Sequence, residues 1–249
     1  YEIHWRDWSS DVCSSDLDDP RIVTTVRDNA KRLAALYGRK VRVVAPVNNL
    51  GFSGINNFAA DLAKAPNLLF LNSDCFISNA ASIDKAIEWL KTKNAGAVGF
   101  RLTYADQAVQ HDGMSVSKWN GQDAFLLNDH PRRGLPINLV PTKPIDDKAC
   151  MLTAACLMMT KATFKSVHGY DRAYLRGDFE DSDICLKLID KGLKLGIIRE
   201  TGIFHLERQT IAAQEGGLRT KITLVNSFIY TKRWQSKIQA GLPALEVVA

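Results

Sequence analysis

Three carboxylates lie within four positions of the chain, at Glu180, Asp181 and Asp183. Acidic side chains this close repel one another, so their ionised forms cost stability unless a cation or a bound substrate compensates. A helix start explains part of the pattern, because acidic residues in a first turn interact favourably with the helix dipole. That explanation does not cover Glu180 and Asp181 together. A carboxylate pair beside a cleft suits general-base catalysis, in which one acid takes a proton and its neighbour hydrogen-bonds the incoming hydroxyl.

A second acidic position follows the apolar run Leu68–Leu71, which leads directly into Asn72, Ser73 and Asp74. In open α/β sheets, ligands bind beyond the carboxyl ends of the strands. A carboxylate there suits a hard cation that prefers oxygen ligands and carries the charge of a phosphate-bearing substrate. The alternative is an Asx turn that merely ends the strand, and this stretch alone does not decide between the two.

Two further features have a structural and a functional interpretation. The segment 48–57 contains Gly51 and Gly54 among amide side chains, so its backbone could approach a ligand closely at the start of a helix. It is neither a Walker loop nor a dinucleotide-binding motif, and taken alone a capped turn explains it better. His205 is a lone histidine, which is more often a core residue than a ligand. Neutral imidazole can nevertheless complete a divalent-metal site with a carboxylate.

Apolar periodicity predicts the elements that would position these residues. Helices are predicted over residues 23–37, 53–64, 80–92, 161–167, 182–191 and 218–239, and strands over 41–45, 68–72, 97–102, 150–160 and 193–198. Alternating helices and strands indicate a parallel α/β sheet, and the unbroken apolar run at 68–72 indicates a central strand covered on both faces. Such a unit normally opens with a strand, and none is predicted before the first helix. Periodicity fades between Tyr104 and Pro144, and a loop-rich insert of this length is more often functional than idle.

Residues 1–17 resemble one reading frame of an indexed sequencing adapter, so we expect this segment to be foreign to the native protein and exclude it from the fold. The alternative is a genuine disordered tail. The segment holds four carboxylates and one arginine, so the rest of the chain has a net charge of +8 instead of +5. This excess favours an anionic partner without choosing among a nucleotide, a phosphate-bearing lipid and a membrane surface. The five cysteines show no paired spacing, which favours a reducing compartment.

The ordered set of motifs resembles family 2 of the glycosyltransferases, which have a GT-A fold, and the resemblance covers about Asp18 to Arg208. The motifs are Asn49, Gly51, Phe52, Gly54 and Asn56; Leu71-Asn72-Ser73-Asp74; Thr153-Ala154-Ala155-Cys156; Gly169-Tyr170-Asp171; Glu180-Asp181 with Asp183; and His205. The stretch Gln110-His111-Asp112-Gly113 also resembles one common in the rhamnosyltransferase-like bacterial members.

The resemblance implies an inverting enzyme that uses a nucleotide sugar with Mg²⁺ or Mn²⁺. It implies that Asp74 and His205 bind the metal, that Asp181 is the catalytic base, and that Glu180 lies beside it toward the acceptor. The implied donor-binding residues are Asn49, Gly51, Phe52, Gly54, Asn56, Asn72, Ser73 and Asp74. The implied acceptor-side residues are Thr153, Ala154, Cys156 and Asp183. The sequence departs from the family pattern at Asn72, where the first acid of the metal motif often stands, at Lys187, where arginine is usual, and upstream of Asp18, where the family's first strand is absent.

We therefore expect an N-terminally truncated GT-A domain over residues 18–217, with a mostly parallel central sheet and flanking helices, and a C-terminal helix and tail over 218–249. The expected substrates are a UDP- or dTDP-linked hexosyl or rhamnosyl donor and a glycan or lipid-linked acceptor in bacterial surface-polysaccharide biosynthesis. We expect a cytoplasmic protein with no nucleic-acid partner. The basic end of the last helix either contacts anionic lipid at the inner face of the plasma membrane or is a solvated face. The alternatives are a sugar-nucleotide nucleotidyltransferase, a non-catalytic nucleotide- or glycan-binding relative, and an inactive fragment with an exposed sheet edge.

Overall fold

A computed structural model describes the protein over residues 10–13, 20–38, 41–44, 46, 48–118, 125–146, 151–200, 202–206, 216–242 and 247–248. Most of the segment 1–17 and much of the tail predicted after the last helix lie outside these ranges. The helices are α1 (Pro20–Tyr37), α2 (Gly51–Leu62), α3 (Ala81–Leu90), α4 (Lys161–Ser166), α5 (Glu180–Asp190) and α6 (Gly216–Gln239). Each matches a predicted helix to within about three residues at either end, which is the usual uncertainty of sequence-based boundaries.

The strands are β1 (Ser10–Cys13), β2 (Val41–Val44), β3 (Asn67–Leu71), β4 (Cys75–Ile77), β5 (Ala95–Phe100), β6 (Leu102–Thr103), β7 (Val109–His111), β8 (Ser115–Lys118), β9 (Leu126–Asp129), β10 (Ile145–Asp146), β11 (Cys156–Thr160), β12 (Lys194–Ile198), β13 (Ile203–His205) and β14 (Val247–Val248). They form four sheets with the orders β1-β2, β10-β12-β5-β11-β3, β4-β13-β6-β7 and β14-β8-β9. Among the described helices, none has the length and apolar character needed to cross a membrane.

The five-stranded sheet is the core of the molecule, and it is not mostly parallel as the sequence predicted. Only the β5–β12 pairing is parallel, whereas β11 runs antiparallel to both β5 and β3, and β10 runs antiparallel to β12. The described residues between β5 and β11 contain the short strands β6–β10 and no α-helix. The chain passes through the loop-rich segment and enters β11 beside the carboxyl end of β5, which forces β11 to run in the opposite direction.

Successive residues of β11 pack on opposite faces of this sheet. Leu157 and Met159 join an apolar cluster with residues of α5 and α6, while Cys156 and Met158 join a second cluster with residues of α3. All four side chains are fully buried. Burying an apolar side chain of this size stabilises the fold by roughly 1.5–3 kcal/mol, so these two layers hold the carboxyl ends of the strands in fixed positions.

β3 is the edge strand of the five-stranded sheet, so the prediction of a central strand is wrong, although apolar clusters cover both of its faces. Leu68 and Phe70 are buried, but Leu71 is 44% exposed. The run is apolar because Leu68 and Phe70 pack on the cluster that includes α5 and α6, and Leu69 packs on the cluster that includes α3. A continuous apolar run therefore does not distinguish a central strand from an edge strand that covers a helix layer.

A strand does precede the first helix, contrary to the prediction. β1 pairs in parallel with β2, with Ser10 opposite Val41 and Cys13 opposite Val44. These residues lie inside the segment 1–17, which we expected to be foreign to the native protein and to take no part in the fold. The sequence gives little indication of this strand, because Ser10, Asp11 and Cys13 do not form an apolar pattern.

The small sheet β4-β13-β6-β7 brings three distant parts of the chain together. His205 of β13 lies opposite Cys75 of β4, and Phe204 pairs with Thr103 of β6. β6 in turn pairs with β7, so residue 103 lies opposite residue 109. This sheet sets Asp74, which immediately precedes β4, beside the end of β13.

Candidate active site

The carboxylate of Asp74 and the imidazole of His205 meet at the end of the small sheet. His205 Nε2 lies 3.2 Å from Asp74 Oδ1. The backbone extends the β4–β13 ladder here, because the Leu206 N–H donates to the Asp74 carbonyl over 3.1 Å. His205 is 7% exposed and the Asp74 side chain 21% exposed, so the carboxylate faces the solvent side of the pair. The structure thus places the two predicted metal ligands in direct contact.

The spacing of these two atoms fits a shared divalent cation. Adjacent ligands of an octahedral ion with bonds of about 2.1 Å lie about 3 Å apart, close to the 3.2 Å found here. Among the described residues, no group of three or more acidic, histidine or cysteine side chains gathers as a metal cage. A cation would therefore take its other ligands from water and substrate oxygens, which is the usual manner of Mg²⁺ binding.

The turn between β3 and β4 presents the other predicted residues of this motif. The Cys75 N–H donates to the Asn72 carbonyl over 3.0 Å, so the backbone does form a turn at Asn72–Cys75. Ser73 is exposed at its tip, and Asn72 is half-buried. The turn and the functional interpretation of this segment are compatible, since the turn aims Asp74 at His205.

Asp181 lies in the first turn of α5, next to the segment that leads into β11. Its carboxylate accepts a hydrogen bond from the Ser182 N–H at 2.8 Å. Burial raises the pKa of Asp181 to about 6; hydrogen bonds from the Ser182 and Ala154 N–H groups and the Thr153 side chain oppose this rise, and the nearby Asp178 adds to it. A carboxylate with such a pKa is ionised at neutral pH and a better proton acceptor than an ordinary aspartate.

The segment Thr153–Ala155 connects Asp181 to the Asp74–His205 pair. Ala154 and Thr153 hydrogen-bond Asp181, and the next carbonyl, that of Ala155, accepts from the Asn72 N–H over 2.9 Å. Asp181 and the turn that carries Asp74 therefore contact neighbouring residues of one short segment.

The loop before α5 is backbone-strained. Arg176, Asp178 and Phe179 have φ angles of 58°, 88° and 73°, in the left-handed region that non-glycine residues rarely adopt. Each such residue costs of order 1–3 kcal/mol and persists only where the surroundings hold it. Gly177, with a φ of 135°, lies among them. Strain of this kind next to Asp181 indicates a preorganised site.

Asn226 of α6 holds that loop in place. This side chain is fully buried, accepts from the Leu175 N–H at 2.9 Å, and donates to the carbonyls of Leu175 and Gly177 at 3.1 and 3.0 Å. Thr223, one turn earlier, donates to the Asp178 carboxylate over 2.9 Å. Sequence reasoning missed both residues, because an asparagine within a helix gives no sign of a partner about 50 positions away.

Glu180 and Asp183 differ sharply in their surroundings. Glu180 is 6% exposed at the start of α5, and its Oε1 lies 3.8 Å from where a side chain on Gly177 would begin. Asp183 has no exposed surface and accepts hydrogen bonds from the Tyr174 hydroxyl, Arg233 and Trp234. Asp183 therefore anchors α5 to α6, and the prediction that it lies on the acceptor side is wrong.

The remaining acceptor-side residues also separate. Thr153 is half-buried and Ala154 is buried, and both contact Asp181 as described. Cys156 is fully buried in the cluster that packs on α3. An acceptor cannot reach it, so its predicted role is wrong. Strand alternation explains this result, because a residue in β11 faces one helix layer or the other.

The loop before α2 contributes only part of the predicted donor surface. Asn49 and Gly51 line a cavity of about 240 Å³ together with Arg172, Tyr174 and Arg176. The Asn49 side chain accepts from the Gly51 N–H at 2.8 Å, and Gly51 takes a φ of 64° as α2 begins. The Asn49 side chain thus closes the turn before the helix, while Leu50, the N-cap residue of α2, makes no side-chain cap hydrogen bond. Gly51, at the helix start, lines the cavity.

The other three residues of this motif serve local packing. Phe52 packs edge-on against Tyr170, with ring centres 5.4 Å apart, and Asn56 donates back to the Phe52 carbonyl at 2.8 Å. A side chain on Gly54 would meet Leu50 Cβ at 2.9 Å, so glycine is needed for close packing. The residues that line the cavity do not include these three.

Residues of the stretch Gln110–Gly113 pack against His205 and are buried behind it. The sequence suggested no mechanism for this role. His111 is buried, and burial lowers its pKa well below the usual range, with the neighbouring His130 and His205 adding to the effect. Asp112 accepts from Arg199 at 2.8 Å and from Arg101 at 3.2 Å, all three being buried. Gln110 faces His205, with 3.3 Å between Oε1 and Nδ1.

The basic end of α6 faces the protein body. Arg233 pairs with Asp171 and Asp183, Trp234 is buried, and Lys237 pairs with Asp190. Arg233 and Trp234 are therefore tied to the protein body, whereas Lys232 and Lys237 are exposed.

Comparison with known proteins identifies the family of the chain. The chain matches the family model described as Glycosyl transferase family 2 over residues 18–150. It is 29% identical over 161 residues to the O-antigen biosynthesis protein RfbC of Myxococcus xanthus, a match that covers 63% of this chain and 12% of that protein. It is 25% identical over 151 residues to the uncharacterized protein y4gI of Sinorhizobium fredii (strain NBRC 101917 / NGR234), covering 60% of this chain and 16% of that protein. The chain thus spans a small part of the length of these relatives.

Two solved structures share the fold over nearly the whole chain. One is GalNAc-T7 with UDP, GalNAc and Mn²⁺, with a TM-score of 0.61 and 12% identity, covering 95% of this chain and 52% of that one. The other is the mannosyltransferase PcManGT from Pyrobaculum calidifontis in complex with GDP-Man and Mn²⁺, with a TM-score of 0.58 and 12% identity, covering 93% and 55%. At this identity the likeness establishes the fold alone, and it confirms the predicted α/β class with a GT-A fold.

Proposed function

Because the chain belongs to glycosyl transferase family 2, we propose that it is an inverting glycosyltransferase that moves a sugar from a nucleotide-sugar donor to an acceptor hydroxyl. The observation that carries this proposal is the placement of Asp181, with a pKa of about 6, against the same short segment that contacts the turn of Asp74 and His205. A proton acceptor and a cation-binding pair that are linked through one short segment suit a single direct displacement. A protein that only bound nucleotides or glycans would have no need of a proton acceptor.

Asp74 and His205 are the residues that would hold a divalent cation, Mg²⁺ or Mn²⁺. When bound, such an ion supplies positive charge that stabilises a departing diphosphate. Asn72, two positions before Asp74, is uncharged. Asp74 is therefore the single carboxylate that this motif offers to the cation. We infer that the substrate diphosphate supplies the remaining negative charge and oxygen ligands of the cation.

Asp181 takes the proton of the attacking hydroxyl. Its position at the start of α5 favours the ionised form, because the helix dipole is positive there. Three hydrogen-bond donors from Ser182, Ala154 and Thr153 orient the carboxylate. Glu180, one residue earlier and nearly buried, is the residue we assign to the acceptor beside it.

The substrate class follows from chemistry and from the relatives. The basic charge of the chain, formally +5, favours phosphate-bearing substrates. The printed name of the Myxococcus relative concerns O-antigen biosynthesis, and the titles of both structural neighbours name a nucleotide or nucleotide sugar with Mn²⁺. We propose a UDP- or dTDP-linked hexosyl or rhamnosyl donor, and a glycan or lipid-linked acceptor of bacterial cell-surface polysaccharide, used at the cytoplasmic side of the membrane.

A nucleotide-sugar panel tests the proposal. The protein is incubated with UDP-, dTDP- and GDP-linked sugars, Mn²⁺ and a mixture of glycan acceptors, and the released nucleoside diphosphate is measured. We expect release from one donor class, loss of release with EDTA, and loss with Asp181→Asn. Asp84→Asn, which removes an exposed carboxylate of α3, is the matched control and should behave as wild type. Nucleotide release by Asp181→Asn at the wild-type rate would overturn the assignment of the base.

A further inference from the structure

The side chain of Gln110 lies against the ring nitrogen of His205 that points away from Asp74. We infer that Gln110 is a positioning residue: its amide oxygen keeps a proton on His205 Nδ1, so that the Nε2 lone pair is the one offered to a cation beside Asp74. This inference rests on the cation site of the proposed function. It gives a specific role to the first residue of the Gln110–Gly113 stretch.

The geometry places the two partners of His205 at its two ring nitrogens. Gln110 Oε1 lies 3.3 Å from Nδ1, and Asp74 Oδ1 lies 3.2 Å from Nε2. Gln110 is 6% exposed and His205 7% exposed, so neither contact is a solvent-exposed chance encounter. β6 lies between the strands that carry them and pairs with both, which fixes their separation.

The chemistry of the amide decides the position of the proton. An amide oxygen only accepts hydrogen bonds, so the ring nitrogen that faces it must carry a hydrogen. A neutral imidazole with its proton on Nδ1 has a free lone pair on Nε2, and a histidine binds metal through the nitrogen without a proton. Partners that orient a ligating histidine in this way typically change metal affinity by about 10–100-fold when they are removed.

The neighbouring histidine does not provide this function. His111 Nε2 lies 3.4 Å from the N–H groups of both Gly113 and Thr153, and its Nδ1 lies 3.2 Å from His130 Nδ1. Both nitrogens of His111 are therefore directed at partners other than His205. Among the described hydrogen bonds, the partner of His205 Nδ1 is Gln110.

Two other roles for Gln110 make different predictions. If Gln110 only fills space, an apolar side chain of similar length should replace it without effect on the metal. If its NH₂ group faced His205, Nδ1 would accept and Nε2 would donate to Asp74, which would make the His205–Asp74 contact an ordinary hydrogen bond. The substitutions Gln110→Met and Gln110→Glu separate these roles, because the first removes the acceptor oxygen and the second retains it.

The test has two readouts on the intact chain. In histidine-labelled protein, ¹H–¹⁵N correlation spectra should show a slowly exchanging His205 Nδ1 proton in wild type and Gln110→Glu, and not in Gln110→Met. Electron paramagnetic resonance with Mn²⁺ alone should show affinity about 10–100-fold weaker in Gln110→Met and no weaker than wild type in Gln110→Glu. Gln239→Met, an exposed position at the end of α6, is the control and should match wild type.

The outcomes separate this inference from the proposed function. If wild type and Gln110→Met bind Mn²⁺ with equal affinity, only the role of Gln110 is overturned. A wild-type Nδ1 without a proton would do the same. Wild-type protein that binds no Mn²⁺ would overturn both the cation site and the role assigned to Gln110.

Discussion

Replacing Asp181 by Asn should abolish turnover and at the same time make the protein more stable at neutral pH. In the folded protein burial raises the pKa of this carboxyl from its ordinary 3.8 to about 6. The folded state therefore holds the proton more tightly than the unfolded state, and the wild type loses stability as the pH rises from about 4 to about 6. Above that window the ionised carboxylate is a constant cost to the fold, and an asparagine does not carry it.

The magnitude follows from the shift. Each pKa unit corresponds to about 1.4 kcal/mol, so a rise of about two units makes ionised Asp181 cost the fold about 3 kcal/mol. The carboxylate accepts hydrogen bonds with both oxygens, whereas asparagine places an NH₂ group where one of these oxygens was. The lost hydrogen bond reduces the gain in the free energy of unfolding by roughly 1 kcal/mol. The expected net gain for Asp181→Asn is about 1–3 kcal/mol above pH 7, and at pH 4 it falls to between zero and a loss of about 1 kcal/mol.

Urea unfolding of wild type and Asp181→Asn at pH 4.5, 6 and 7.5, followed by circular dichroism, measures this difference. The gap between their free energies of unfolding should widen with pH and level off above pH 7. Asp84→Asn removes an exposed carboxylate and serves as the control, with no pH-dependent gap expected. A pH-independent difference, or an Asp181→Asn protein less stable than wild type at pH 7.5, would refute the link between burial, pKa and catalysis at this position.

The remaining predictions concern rate and stability. The rate constant kcat/KM should fall about tenfold per pH unit below the pKa of Asp181, and Thr153→Val should move this limb to higher pH because the Thr153 side chain lowers that pKa. Asp112→Ala should lower the free energy of unfolding by about 3–5 kcal/mol, since it leaves the buried Arg101 and Arg199 without their shared carboxylate; chemical denaturation measures the loss. Asn226→Ala should lower kcat with little change in the affinity for Mn²⁺, because it releases the loop of Asp181 and leaves Asp74 and His205 in place; steady-state kinetics and Mn²⁺ titration decide between this result and a uniform loss.

Much of the secondary structure could be predicted from local sequence patterns. The helices follow from apolar spacing, and Asp74 could be placed at a strand end because an apolar run leads into small polar residues. His205 is a different case: its spacing alone favoured a core residue. The family resemblance indicated its pairing with Asp74, and the small sheet provides the physical reason.

Strand direction and strand order could not be predicted in the same way. The apolar run of β11 would look the same in a parallel or an antiparallel sheet, and its direction depends on how the preceding segment returns. The edge position of β3 likewise depends on which strands pair beyond it. These are properties of the whole chain rather than of a local window.

Long-range side-chain partners were equally hidden. Asp183 resembles a site residue by its spacing from Asp181, yet Arg233 and Trp234, about 50 positions later, bury it as a structural tether. Gln110 meets His205 across 95 positions. In both cases the sequence shows a polar residue, and only the fold shows whether it faces a ligand or another side chain.

The most direct test of the central claim is nucleoside diphosphate affinity in the presence of Mn²⁺, measured by isothermal titration calorimetry for wild type, Asp74→Ala and Asp181→Asn. If Asp74 holds the cation and Asp181 acts only on the acceptor hydroxyl, Asp74→Ala should lose affinity by at least about tenfold, while Asp181→Asn should bind as wild type does. Equal affinity in all three proteins, or a loss confined to Asp181→Asn, would contradict the division of roles between the two carboxylates.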